Sequence, residues 1–211
     1  MTGLEVLKEV AAEVSVCTRC ELHFSRKLAV PGEGPVNAEL MFIGEGPGFH
    51  ENEQGRPFVG AAGSFLEELL AGIGLRREQV YITNVVKCRP PANRDPQLEE
   101  LQACSEYLER QVQAINPKLI VTLGRFSMAR FLPKAKISEI HGQAVQVHGR
   151  LVVPMYHPAA ALHQPSLRNT VVSDFSKLPE WMAKAGNIPE MHTEAVISED
   201  RIQHSEQLSL F

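Results

Sequence analysis

The feature that most constrains the fold is a set of four short, near-continuous apolar runs. Each run is four to seven residues long and rich in Val, Ile and Leu, without regular polar alternation. The runs are Leu40–Ile43, Val80–Val86, Leu119–Leu123 and Leu151–Tyr156. Unbroken apolar runs of this length are typical of parallel strands that are covered on both faces.

Helical patterns lie around and between these runs. The segment Ser64–Ala71 begins with a capping serine that is followed three residues later by a glutamate. The predicted helices are Leu4–Val14, Ser64–Ala71, Gln97–Ile115, Ser127–Leu132 and Asp174–Lys184. Alternating strands and helices predict an α/β fold, a three-layer α/β/α arrangement with a central four-stranded parallel sheet.

Polar side chains follow three of the predicted strands. Glu45 comes after the first strand, Asn84 lies near the end of the second, and His157 follows the fourth. In folds of this class, ligands bind beyond the carboxyl ends of the strands. One carboxylate, one carboxamide and one imidazole are therefore expected at the same edge of the sheet.

Four cysteines form a second constellation. Cys17 and Cys20 make a CxxC pair, and Cys88 and Cys104 stand apart. The spacing leaves open zinc, an iron–sulfur cluster or four unrelated thiols. Disulfides are disfavoured, because Met1–Val10 lacks a secretion signal pattern and predicts a cytoplasmic protein. A metal held here would join the N-terminal segment to the loop after the second strand, in a structural role.

Charge is distributed unevenly. The net charge of −4 argues against a nucleic-acid partner. Residues 1–109, however, carry 10 Lys and Arg against 17 Asp and Glu, whereas residues 110–173 carry eight Lys and Arg and one acid, Glu139. The second block is therefore net positive, which favours a polyanionic partner despite the negative total. No apolar run has the roughly 20 residues that a membrane-spanning helix needs.

Several ordered motifs point to one family. The CxxC pair is followed by five stretches: Val30-Pro31-Gly32-Glu33-Gly34, Gly44-Glu45-Gly46-Pro47-Gly48, Gly55-Arg56-Pro57-Phe58-Val59-Gly60, Asn84-Val85-Val86-Lys87-Cys88-Arg89-Pro90-Pro91 and His157-Pro158. Between about Val16 and Trp181 the chain resembles type 4 uracil-DNA glycosylases, the iron–sulfur branch of the uracil-DNA glycosylase superfamily. The resemblance implies a uracil-DNA glycosylase-like fold. It also implies a [4Fe–4S] cluster held by the four cysteines, and hydrolysis of the N-glycosidic bond of deoxyuridine in DNA.

The resemblance also implies residue roles in base recognition. A base inside a duplex must be flipped into a pocket before an enzyme can reach it. Asn84 is the candidate for pairing with uracil O4 and N3–H, and Phe58 for stacking on the flipped base. Glu51 is expected where the methyl group of thymine must be excluded, although this chain follows it with Asn52 where the family usually has an acid.

Catalysis is expected without a catalytic metal. As the bond breaks, the sugar becomes cationic and uracil leaves as an anion. Glu45 is the candidate for positioning water and stabilising the cation, and His157 for donating to uracil O2, helped by backbone amides near Gly46. Leu162, in the Ala159–His163 segment, is the predicted wedge that fills the space left by the flipped base.

Two sibling branches are less consistent with the sequence. A branch with a broader base range lacks the acidic residue that Glu45 provides here. A branch that crosslinks itself to DNA carries a nucleophilic histidine after the second strand, and the segment Lys87–Arg94 has none. Hydrolysis with turnover is therefore preferred. An alternative from a different class of function is a non-catalytic, metal-stabilised adaptor on the same fold, which binds DNA or is recruited by the sliding clamp.

The C-terminal segment is predicted to be separate from the domain. Residues 1–184 are expected to form the monomeric glycosylase domain, and residues 185–211 a disordered acidic tail. The tail ends in a motif similar to the pentapeptide with which bacterial repair proteins bind the DNA polymerase sliding clamp. Its anchors are Gln207, Leu208, Leu210 and Phe211.

Overall fold

A five-stranded sheet forms the centre of the fold in the computed structural model, which describes residues 1–185. The strands are β1 Leu40–Gly44, β2 Tyr81–Asn84, β3 Leu119–Leu123, β4 Val145–Val147 and β5 Arg150–Met155, in the spatial order β2-β1-β3-β5-β4. The four predicted strands, β1, β2, β3 and β5, are parallel to one another, and β4 pairs antiparallel with β5. The predicted α/β class is confirmed, but the sheet has five strands instead of four.

The additional strand belongs to a tight hairpin. In β4, Val145 and Val147 flank the exposed Gln146, so no continuous apolar run marks it. The two turn residues His148 and Gly149 have φ values of 48° and 78°. Positive φ at both central residues is the property of the two-residue turns that join antiparallel strands. The turn chemistry was therefore present in the sequence, while the hydrophobic pattern was too short to reveal the strand.

Helices cover both faces of the sheet. They are α1 Gly3–Val16, α2 Leu22–Ser25, α3 Phe49–Gln54, α4 Ala61–Gly72, α5 Leu98–Ile115, α6 Arg125–Ala129, α7 Ile137–Ile140, α8 Pro158–His163, α9 Arg168–Ser176 and α10 Leu178–Ala185, with 3-10 turns at Arg77–Gln79, Pro91–Asn93 and Pro165–Leu167. The single predicted helix Asp174–Lys184 is wrong in extent, because the chain forms α9 and α10 with a break at Lys177. Pro179, in the first turn of α10, cannot donate the hydrogen bond that a continuous helix would need.

The strands send alternate side chains to two cores. In β1, Phe42 packs with α4 and α9 residues, including Leu66 and Phe175, whereas Met41 packs with Leu108 of α5 on the other face. This alternation of fully buried residues is the three-layer arrangement. Within residues 1–185, no helix is both long and apolar enough to cross a membrane.

A third apolar cluster lies beside the sheet. Val10 and Val14 of α1 pack with Cys88, Cys104 and other residues of the segment after β2 and of α5. The first helix is thus fixed to the sheet through the region where the cysteines lie. Ala185, the first residue of the predicted tail, is the buried last residue of α10, and the rest of the predicted tail, including its proposed clamp-binding residues, lies outside the described part of the chain.

Candidate active site

The ends of β1, β2 and β5 bring three of the predicted site residues to one edge. Gly44, the last residue of β1, is in register with Asn84 at the end of β2. A Cβ atom at Gly44 would lie 2.4 Å from Asn84 Oδ1 and 2.7 Å from the Phe58 ring. Glycine is therefore required at position 44 because both side chains lie directly over its backbone. Glu45 is the next residue in the chain.

Asn84 is the most unusual polar residue at this edge. Its side chain is buried, with 1% of the residue exposed, and Oδ1 has no hydrogen-bond partner in the described structure. An unpaired buried acceptor costs about 1–3 kcal/mol, so native proteins rarely retain one without a reason. The amide is held ready for a donor that the chain itself does not supply.

Phe58 has a strained backbone and a buried ring. Its φ is 51°, in the left-handed region, and the residue is 5% exposed. For a residue other than glycine this conformation costs on the order of 1–2 kcal/mol. The ring stacks on His157 with 5.4 Å between the ring centroids and an interplanar angle of 23°. Phe58 thereby lies between the Asn84 amide and the His157 imidazole.

His157 is held as a neutral donor. The backbone N–H of Ala159 donates to Nδ1 over 3.1 Å, because His157 is the N-cap of α8. Nδ1 acts as an acceptor, so the proton of the neutral ring is on Nε2. Burial lowers the pKa of His157 to about 4, and the charge of Glu51 opposes that shift only in part. At neutral pH, Nε2–H is available to a ligand.

Glu45 has the opposite shift. Burial and, secondarily, the charge of Asp95 raise the pKa of this carboxyl to about 7, while Arg125 acts to lower it. Asp95 and Arg125 form an ion pair with each other. A carboxyl that titrates near neutrality suits exchange of a proton with water.

Glu51 has a role within its own loop. Its Oε1 accepts hydrogen bonds from the backbone N–H groups of Val59 at 2.9 Å and Gly60 at 3.0 Å, and its Oε2 accepts from Gly48 at 3.1 Å. Both oxygens are engaged by the chain, so Glu51 fixes the loop that carries Phe58. Its contact with the methyl group of thymine stays a prediction.

Gly46 and Leu162 are the last two predicted site residues at this edge. A Cβ at Gly46 would lie 2.8 Å from Val86, which explains the glycine by close approach. Leu162 is 41% exposed on α8, the helix that His157 caps. The predicted wedge and the imidazole therefore lie on one short continuous segment.

All four cysteines line one cavity. The cavity is also lined by cationic side chains, including Arg26 and Lys87. Arg26 donates to Cys88 Sγ over 3.4 Å, and the backbone N–H of Lys87 donates to Cys104 Sγ over 3.3 Å. Burial raises the pKa of the Cys104 thiol to about 11. No disulfide joins any of the four.

Two buried cations were missed by the sequence analysis. Lys87 is 1% exposed, and its ammonium donates to Thr83 Oγ1 at 2.6 Å, Gln111 Oε1 at 2.7 Å and the Asn84 carbonyl at 2.8 Å. A lysine directly after an apolar strand pattern was the available signal. Arg77, whose side chain is 9% exposed, had no such signal in its charged surroundings.

Much of the positive charge in residues 110–173 is paired within the fold. Of the eight Lys and Arg in residues 110–173, five form ion pairs with acids of residues 1–109. The pairs are Arg110 with Glu9 and Glu13, Lys118 with Glu39, Arg125 with Asp95, Arg130 with Glu109, and Arg168 with Glu68. The fold thus neutralises much of the charge difference between the two halves of the chain. Contacts of this block with DNA phosphates stay a prediction.

Comparison with known proteins identifies related chains. A family profile described as the uracil DNA glycosylase superfamily matches residues 31–180. The type-4 uracil-DNA glycosylase of Archaeoglobus fulgidus is 48% identical over 191 residues, covering 86% of this chain and 96% of that protein. The type-4 enzyme of Thermotoga maritima is 43% identical over 88% of this chain and 99% of its own length. A type-5 uracil-DNA glycosylase of Pyrobaculum aerophilum is 34% identical over 62% of this chain.

Proposed function

The chain belongs to the uracil-DNA glycosylase superfamily, and we propose that it removes uracil from DNA by hydrolysing the N-glycosidic bond of deoxyuridine. The product is an abasic site, which begins base excision repair. The observation that carries this proposal is the unpaired, buried Oδ1 of Asn84 beside the Phe58 ring. The resemblance to type-4 enzymes over most of both chains supports it.

Asn84 accounts for base selection. Uracil presents N3–H as a donor and O4 as an acceptor, so one side-chain amide pairs with both through Oδ1 and Nδ2. Cytosine presents an acceptor at N3 and a donor at N4, which would face the same amide groups with the wrong polarity. Cytosine in the site would leave buried polar atoms of the base and of Asn84 unpaired. Unpaired buried groups discriminate strongly between two bases in a closed site.

Phe58 and Leu162 account for access to the base. The flipped uracil stacks on the Phe58 ring, a contact of about 1–3 kcal/mol that offsets part of the cost of unstacking. The exposed Leu162 side chain enters the space that the base leaves. Glu51 contributes by fixing the Phe58 loop through three backbone hydrogen bonds.

His157 and Glu45 divide the chemistry. As the C1′–N1 bond breaks, its electron pair goes to uracil. Nε2–H of the neutral His157 donates a hydrogen bond to uracil O2, the oxygen on which negative charge develops. The Glu45 carboxylate lies by the cationic sugar, orients the water that forms the new C1′–O bond, and accepts its proton. Each such group, properly positioned, is worth about 10²–10³ in rate.

The cysteine cavity fits an anionic iron–sulfur group. The fully buried Lys87 ammonium contacts three neutral oxygens, and Arg26 contacts a cysteine sulfur. A buried cation without a carboxylate is costly unless negative charge is supplied nearby, as four thiolates and a cluster would do.

Cys17, Cys20, Cys88 and Cys104 would thus hold a [4Fe–4S] cluster in a structural role, with no catalytic metal. The cluster would cross-link α1 to the segment after β2. In purified protein, about four iron atoms per chain are expected, with broad visible absorbance. A colourless protein that contains zinc would contradict this assignment.

The proposal extends to location and partners. Reduced cysteines are consistent with a cytoplasmic enzyme, which is expected to act as a monomer. The tail, residues 185–211, would dock on a bacterial sliding clamp through Gln207, Leu208, Leu210 and Phe211, with the linker raising the local concentration. A chain that ends at Ser205 should lose clamp binding; equal binding by both chains would contradict the docking.

The decisive experiment is cleavage of a uracil-containing oligonucleotide after alkali treatment. The wild-type chain should produce abasic sites, and Asn84→Ala should reduce the rate by about 10²–10³. Asn37→Ala is the matched control, because Asn37 is exposed and precedes β1, on the opposite edge of the sheet. If the wild-type chain gives no abasic product, the non-catalytic adaptor becomes the better interpretation.

A further inference from the structure

Arg77 holds the loop that carries Phe58. Its guanidinium donates to the Phe58 carbonyl over 2.8 Å and to the Pro57 carbonyl, and its Nε donates to Glu33 Oε1 over 2.6 Å. The Arg77 side chain is 9% exposed. Arg77 also contacts a second carboxylate, with Nη1 3.5 Å from Glu67 Oε1. A planar guanidinium with two carbonyl and two carboxylate acceptors is rigidly oriented, so it fixes the peptide groups that it contacts.

Glu33 is itself fixed to the sheet. Its backbone N–H donates to the Ile82 carbonyl over 2.9 Å, and the Ile82 N–H donates back over 2.8 Å. The connection therefore runs from β2 through the Glu33 carboxylate to the Arg77 guanidinium, and from there to the peptide groups at Pro57 and Phe58. The strand that presents Asn84 also anchors the loop that presents the ring.

Phe58 needs such an anchor because its conformation is unfavourable. A residue with φ of 51° and a side chain keeps this conformation only where its surroundings impose it. Gly63 permits the loop to pass, since a Cβ there would lie 2.0 Å from the Phe58 carbonyl oxygen. The glycine permits the conformation, and the hydrogen bonds from Arg77 select it.

We propose that Arg77 is a positioning residue for uracil binding, which keeps the Phe58 ring in place between Asn84 and His157. The inference rests on the proposed glycosylase function and adds a residue to it. Arg77 acts through Phe58 and is assigned no contact with the base. Loss of its hydrogen bonds allows the Phe58 peptide to leave the left-handed conformation, and the ring then no longer forms one wall of the pocket.

Arg56 provides a matched control. It forms an ion pair with the same Glu33, with Nε 2.8 Å from Oε2, and its side chain is 56% exposed. No hydrogen bond from Arg56 to the carbonyls of Pro57 or Phe58 is found in the described structure. Arg56→Lys therefore weakens the same carboxylate pair without removing the hold on Phe58.

The test is a double-mutant cycle on a uracil-containing oligonucleotide under single-turnover conditions. Arg77→Lys should reduce the rate by roughly 10- to 100-fold, the effect of removing hydrogen bonds from a charged donor. In a Phe58→Leu background the same substitution should change the rate less than about threefold, because the group that it positions is gone. Arg56→Lys should change the rate less than about threefold in either background.

Amide hydrogen exchange supplies a readout that is independent of activity. Arg77→Lys should accelerate exchange at Val59 and Gly60, whose N–H groups bond to Glu51, with no matching change at the buried strand β3. Equal losses of rate from Arg77→Lys with and without Phe58, together with unchanged exchange at Val59 and Gly60, would overturn the inference. An inactive wild-type chain would instead overturn the proposed function.

Discussion

The pocket at the strand ends and the cavity lined by the four cysteines present different kinds of polar groups to a ligand. The pocket presents a buried amide oxygen without a partner, a neutral imidazole and a carboxyl with a raised pKa. The cysteine cavity instead holds two sulfurs that already accept N–H groups, next to the Arg26 and Lys87 cations, which donate to sulfur and to neutral oxygens. The pocket is therefore suited to a substrate that binds reversibly, and the cavity to a structural group that stays bound.

Asn84, Lys87 and Cys88 connect these regions within five residues. Lys87 contacts the Asn84 carbonyl through its ammonium and Cys104 through its backbone N–H. A change at either region is therefore transmitted over a very short distance. Substitutions that change activity without changing iron content, or the reverse, would show that the two regions are independent. Substitutions that change both would show that they are coupled.

The largest effect is expected within the pocket. His157→Ala removes the donor to uracil O2 and should reduce the single-turnover rate by about 10²–10³. It also removes the cap of α8, which costs about 1 kcal/mol of stability. Iron content should be unchanged, because no sulfur contact is lost. Loss of iron together with activity would show that the two regions are not separate.

A cysteine substitution should have the opposite profile. Cys88→Ala should reduce iron content and lower the free energy of unfolding by on the order of 3 kcal/mol, comparable to losing another structural cross-link. For a chain of this size, that corresponds to about 6–12 °C in Tm. Ser105→Ala, next to Cys104 on the exposed side of α5, is the control and should change neither quantity. Unchanged stability after Cys88→Ala would argue against a structural group in the cavity.

Lys87→Met is expected to affect both regions moderately. The substitution removes the ammonium that donates to Thr83 Oγ1, Gln111 Oε1 and the Asn84 carbonyl, which should cost about 2 kcal/mol of stability. Iron retention should fall and KM for a uracil oligonucleotide should rise, because one side of each site shifts. Denaturant unfolding, iron analysis and steady-state kinetics measure the three effects. A change in KM without any loss of iron would place Lys87 in the pocket alone.

The smallest expected effect is a shift in pH dependence. Since the pKa of Glu45 is raised to about 7, kcat/KM should increase with pH until it levels off above that value. Asp95→Asn removes a charge that raises this pKa, so the profile should move to lower pH. His157 should contribute no titration above about pH 4. A profile that Asp95→Asn leaves in place would contradict the electrostatic coupling.

The same shift has a consequence for stability. A carboxyl whose pKa is raised by folding opposes folding above its ordinary value near 4.5, and does so fully above about 7. Glu45→Gln should therefore unfold at a higher temperature than wild type at pH 8, and the difference should vanish below pH 4.5. Thermal unfolding at the two pH values measures it. Equal Tm values at pH 8 would mean that the carboxylate is well solvated in the fold.

The fold was predictable where the signal is local. The bounds of β3 match the prediction, because four apolar residues and one buried threonine in succession leave little choice of register for a strand buried on both faces. The short β4 and the break between α9 and α10 were missed, because three residues or one proline change the local pattern only slightly. Family resemblance, more than periodicity, identified Phe58 and Glu51 as site residues.

The charge arrangement shows the limit of reasoning along the chain. Charge counts by segment predict a positive block, and they do not show that ion pairs form between segments that are far apart in sequence, such as Arg168 with Glu68. The raised pKa of Glu45 has the same origin, because it depends on burial and on Asp95 from another loop. The sequence gives the sign and position of each charged side chain, but only the fold shows which opposite charge lies next to it.

The sequence by itself determined the parallel sheet, the strand ends where Glu45, Asn84 and His157 gather, and the four cysteines. Apolar runs and the direction of parallel strands are sufficient for that result. Only the tertiary structure decided that Asn84 keeps an unpaired oxygen, that Lys87 is buried among neutral acceptors, and that Arg77 holds Phe58. These properties depend on how distant segments pack around each group. Burial decides their energy, because a polar group that costs little in water becomes costly in the interior.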